Sequence, residues 1–63
     1  MNWAIKRTTD GMFWDDLQGK FVLHLTANCE FGTAQAVGDM WVFITDAGER
    51  VDIIRVFKGR AVT

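Results

Sequence analysis

His24 and Cys29 supply the only imidazole and the only thiol of the chain, five residues apart. A thiol beside an imidazole is the least that nucleophilic catalysis would need in a protein without serine. The spacing puts His24 near the end of a strand and Cys29 in the loop that follows. A small buried thiol and a strand histidine on a polar face account for both residues. Structural zinc usually takes four Cys or His ligands, and these two are all the chain offers. Asp15 and Asp16 are a carboxylate pair by sequence only, because neighbours in a strand point to opposite faces. With Asp10 they read as solvated charges that blunt a sheet edge, or as an acidic patch for a basic partner surface. The six glycines are dispersed and form no phosphate-binding loop. No catalytic residue, cofactor or metal is expected, and the chain reads as non-enzymatic.

Arg55, Lys58 and Arg60, with Phe57 among them, resemble a nucleic-acid stripe carrying one stacking aromatic. Three cations are few for phosphate-driven affinity, and a net charge of −1 opposes them. Nucleic acid is therefore the secondary reading. The same residues can keep the outer side of a strand soluble.

One amphipathic helix positions everything else. At about 100° per residue, Ala34, Ala36, Val37, Met40, Trp41, Phe43, Ile44 and Ala47 fall in one half of the wheel. Gln35, Gly38, Asp39, Thr45 and Asp46 fall in the other, and only Val42 breaks the sorting. Thr33 is the expected N-cap and Gly48 the expected stop. Trp41 and Ile44 are expected against the sheet. The competing reading takes residues 40–45 (MWVFIT) as a strand of an all-β small barrel, but a strand gives no reason for the sorting to reach back to Ala34 and Val37.

Residues 3–8 (WAIKRT) form a first strand that turns at Asp10-Gly11, so that Thr8 faces Phe13, Arg7 faces Trp14 and Lys6 faces Asp15. Phe21, Leu23 and Leu25 alternate with Val22, His24 and Thr26 as a further strand. Residues 27–31 connect in extended form, residues 51–58 (VDIIRVFK) are the last strand, and residues 59–63 a tail. The fold class is α+β: one domain over residues 1–63, with a small antiparallel sheet of three to four strands packed by one helix, in the order ββ(β)αβ.

Hydrophobic residues make up 49% of the chain, among them three tryptophans and five phenylalanines. A chain of 63 residues buries only about 60% of its unfolded surface, too little to hide all of these. Val51, Ile53 and Phe57 point to one side of the last strand, Ile54 and Val56 to the other. The surplus apolar surface points to protein binding. Phe13, Trp14, Asp15, Asp16, Val42, Ile54 and Val56 are the candidate contact residues, with a homodimer as the default where no foreign target is present. No run approaches the ~18 apolar residues of a membrane span. One cysteine and no secretion-type start indicate a cytoplasmic protein without disulfides.

The opening NWAIKRTTDGMFW, the later ANCEF, the helix start GTAQA and the closing GERVDIIRV together resemble a loose pattern in very short phage- and prophage-encoded proteins of ββαβ layout. The resemblance covers most of the chain through turn, cap and core positions. It implies a protein that binds and blocks a bacterial host protein or defence complex by stoichiometric occlusion, in the manner of anti-CRISPR proteins.

Overall fold

The computed structural model describes residues 1–62; Thr63, the end of the expected tail, lies outside the described residues. Five antiparallel strands form one sheet in the order β3-β2-β1-β4-β5. They are β1 (Asn2–Arg7), β2 (Phe13–Asp15), β3 (Lys20–Val22), β4 (Val51–Phe57) and β5 (Arg60–Val62), with helix α1 (Ala34–Asp46) between β3 and β4. The fold is α+β, as its periodicities imply, and residues 40–45 are helical, which excludes the barrel.

Local chemistry sets both ends of the helix. The Thr33 hydroxyl accepts from the Ala36 amide at 3.1 Å. At the other end Gly48 sits at φ +93, where L side chains are strained. That turn lets Gly48 and Glu49 donate back to the Thr45 and Ile44 carbonyls, capping the last turn. The helix lies over β1 and β4. Val37 and Ile44 are buried with Ile5, Phe31 and Val51, and Trp3, Trp14, Phe21 and Met40 pack around them. Trp41 departs from expectation: it stands on the helix flank, 37% exposed. Its indole Nε1 donates to the Val51 carbonyl at 3.0 Å, which ties the flank to the start of β4.

Three expected strand features are corrected. The first hairpin pairs Lys6 with Phe13 rather than with Asp15. Its loop is Thr8 to Gly11, because the Thr8 amide continues the β1–β4 ladder to the Arg50 carbonyl at 2.9 Å and so leaves the hairpin early. Asp10 then fills the loop, accepting from the Met12 amide and from Arg7. The strand expected through Thr26 stops at Val22, where β2 has no residue left to pair with it: Phe13, its first, faces Val22. The chain bends at Leu23 and His24, makes a 3-10 turn at Ala27–Cys29 and returns beside β1, where Phe31 bridges Trp3. Finally, the expected tail is β5. Lys58 and Gly59 take φ +51 and +76, the double left-handed turn that suits a two-residue hairpin loop, and Phe57 pairs with Arg60.

These placements predict the response to mutation. Ile44→Ala should cost about 2 to 5 kcal/mol, a large part of the roughly 5 kcal/mol that holds so small a domain together. Trp41→Phe, which keeps the ring and loses the donor, should cost about 1 kcal/mol. Val42→Asp, on the solvent side, should stay within about 0.5 kcal/mol of the parent. Urea midpoints by circular dichroism check the order.

Candidate protein-binding face

The residues that could do chemistry do not converge. His24 is exposed, and the buried Cys29 thiol lies 3.6 Å from the Thr26 hydroxyl and 4.0 Å from the His24 carbonyl oxygen, so its polar neighbours do not include the imidazole. Among the described residues no three His, Cys, Asp or Glu side chains gather as a metal site, and no helix is long and apolar enough to cross a membrane. An open depression runs between Asn2, Glu30 and Lys58. Two of its polar groups satisfy each other, Asn2 Nδ2 donating to Glu30 Oε1 at 2.9 Å.

The acidic residues of the first hairpins are structural. Asp15 is buried, and its carboxylate accepts from the Leu17 and Gln18 amides at 3.0 and 2.8 Å and from Gln18 Nε2 at 3.0 Å. It therefore closes the β2–β3 turn and is withdrawn from any docking patch. Those donors, the Gln18 amide foremost, hold its pKa below the usual carboxylate range. Asp10 is lowered too, chiefly by its hydrogen bond from Arg7 and then by the Met12 amide. Arg7 also reaches Glu49 at 3.3 Å and lies 4.1 Å over the Phe21 ring, fastening the first hairpin to the end of the helix. Asp16 is exposed and accepts from Trp14 Nε1 at 3.2 Å.

Register sorts the other candidates. Ile5 faces Ile53 and Arg7 faces Val51 across β1 and β4. Since Ile5 and Val51 belong to the helix-side core, Ile53, Arg55 and Phe57 share that side, and so do their β5 partners Val62 and Arg60. Ala4, Ile54 and Val56 face away from the helix. Val56, expected to be exposed there, is 1% exposed, and Ala4 is buried as well. Ile54 and Phe13 are half-buried, Phe13 with the Lys6 ammonium 6.0 Å from its ring centre. Trp14 packs on the helix-side core, edge to face with Phe21 at 5.3 Å between ring centres. Val42 alone of the apolar candidates is exposed, at 51%, on the outer side of the helix.

An uncovered apolar strip lies on the helix side, beyond the helix. Ile53, Phe57 and Val62 are 42%, 52% and 47% exposed, with Trp41 at their border on the helix flank. Looseness is not the reason: 4278 Å² of accessible surface is close to the ~4,100 Å² expected of a compact chain of this mass. A helix about 10 Å across cannot cover a five-stranded sheet about 19 Å wide. On the β2–β3 side Trp14, Phe21 and Arg7 fill the gap. On the β5 side nothing does. Arg55, Lys58 and Arg60 surround this strip, and among the described residues no carboxylate lies within ion-pair distance of them. The signal for it in the sequence was Lys58-Gly59, a turn between two β-rich runs. No protein-family model, curated protein or solved structure matches the chain.

The lowered pKa values of Asp15 and Asp10 mean that the folded state binds protons less readily than the unfolded one. Their contribution to stability is present above the ordinary carboxylate pKa and is lost as pH falls through the depressed one. Melting temperatures measured from neutral pH downward should therefore drop in the acid range. Asp15→Asn should lower the melting temperature at neutral pH and flatten that acid drop; an unchanged profile in the variant would show that Asp15 is not the group responsible.

Proposed function

We propose that this chain is a non-catalytic protein-binding protein that acts by covering a surface of its target at one-to-one stoichiometry. The observation that carries the reading is the apolar strip of Ile53, Phe57 and Val62, left open by a helix that covers only the middle of the sheet. Apolar strips of this kind on small compact proteins mark interaction sites. The resemblance to short phage and prophage proteins extends the proposal to the target: a bacterial host protein or defence complex, bound in the cytoplasm. Phe57 speaks against a nucleic-acid role as the main one. Lys58 Nζ stands 5.4 Å from its ring centre, and one aromatic among three cations is a small platform for base stacking and phosphate contact.

The test is a binding titration against bacterial lysate proteins with the parent chain and with Ile53→Asp/Phe57→Asp, whose fold is checked by circular dichroism. The expected result is a one-to-one complex that persists from about 50 to 200 mM salt and is lost in the variant. Binding through three phosphate contacts would instead weaken about 40-fold over that range. Such a loss, with nucleic acid recovered in the bound fraction, would replace the protein-binding reading.

A further inference from the structure

β5 is an outer strand of the sheet, and its free edge is a hydrogen-bonding template. Phe57 and Arg60 flank a two-residue loop, so they exchange both ladder hydrogen bonds, as Arg55 and Val62 do two residues on. The Ala61 amide and carbonyl between them consequently point outward, away from β4. Ala61 is exposed, and among the described residues no backbone partner outside the sheet ladder reaches it.

Resting on the protein-binding reading, we infer that β5 accepts an extended segment of a partner protein as a sixth strand, and that this segment carries a carboxylate and an apolar side chain two residues apart. The argument is complementarity. A residue that pairs with Ala61 sets its two neighbours beside Arg60 and Val62, on the helix side of the sheet, whichever way the added strand runs. Arg60 is exposed and, among the described residues, has no carboxylate partner, and neither have Arg55 and Lys58, which add positive charge around it. Asp52, the acid of β4, is on the opposite face, beside Lys6. An acidic side chain therefore meets its counter-charge at Arg60, while its apolar neighbour extends over Val62 towards Ile53. A second copy of the chain is the poorer occupant. Pairing β5 with itself would gather two sets of these cations with no acid of the described residues between them, and like charges facing across strands destabilise a sheet.

The experiment uses the full chain and a displayed library of random peptides. Enriched peptides should carry Asp or Glu two residues from Val, Ile, Leu or Phe, and in the amide NMR spectrum their binding should shift Arg60, Ala61 and Val62 most. Arg60→Glu should weaken an enriched peptide about tenfold, and replacing the peptide's acid by lysine should restore binding to that variant. Restoration shows that the variant is folded and that the pairing is direct. Enrichment without the acidic-apolar spacing, largest shifts outside the β4–β5 hairpin, or no rescue by lysine would overturn the β5 assignment and leave the protein-binding reading standing. Failure of any peptide to bind, together with binding of oligothymidylate at the same residues, would overturn both.

Discussion

The ladder between β1 and β4 holds the molecule together. Six residue pairs, from Asn2 with Val56 to Arg7 with Val51, join the two ends of the chain across nearly its whole length. Without it the remaining strands would be two separate hairpins, β2–β3 and β4–β5, and isolated hairpins are marginal in water. Among the described residues β1 is the only strand hydrogen-bonded to three partners, since β2 and then Phe31 take turns along its other edge. At its centre Ile5 is fully buried, and the helix packs on the platform that it forms with Val51. Because this ladder closes the longest loop in the chain, its entropy must be met by the densest packing, and the core lies on it.

Features decided within a few residues were legible in the sequence. Thr33, Gly48 and the seating of Val37 and Ile44 depend on the helix alone, and they appear as read, whereas Trp41 and Phe43 of the same sorted face are exposed. Features decided by distant partners were not. The register of the first hairpin is set by Arg50, which captures Thr8 from the far end of the chain. The alternation from Phe21 to Leu25 was real as a pattern, but strand β3 ends where its partner ends. β5 escaped notice because lysine is an unusual residue for a left-handed turn position, and Lys58 takes it only with glycine beside it.

The same distinction governs the binding face. Period-two alternation correctly divided Ile53 and Phe57 from Ile54 and Val56, yet the expected exposure was reversed: Val56 is covered, and Phe57 is half open. Alternation says which side a residue takes and nothing about how far a covering element reaches. That depends on the width of the helix and on its seat over β1 and β4, neither of which a single strand encodes. Asp15 illustrates the point for charge. Its neighbours in sequence suggested an acidic patch, while the turn at Leu17 and Gln18 encloses its carboxylate completely.

An open sheet edge carries a hazard as well as a use, because it can pair indiscriminately with other edges. In this chain the devices that limit the hazard also define the use. β5 is only three residues long, with Arg60 at one end and Val62 at the other. A short strand offers too few hydrogen bonds for unselected pairing to persist, so whatever stays bound must gain from side chains. The cations of the hairpin, which have no carboxylate partner among the described residues, would repel a second copy and admit an acid, and the apolar residues between them would favour a partner that brings matching apolar area. In that reading selectivity would come from Arg55, Lys58 and Arg60, three positive charges gathered around the strip that the helix does not reach.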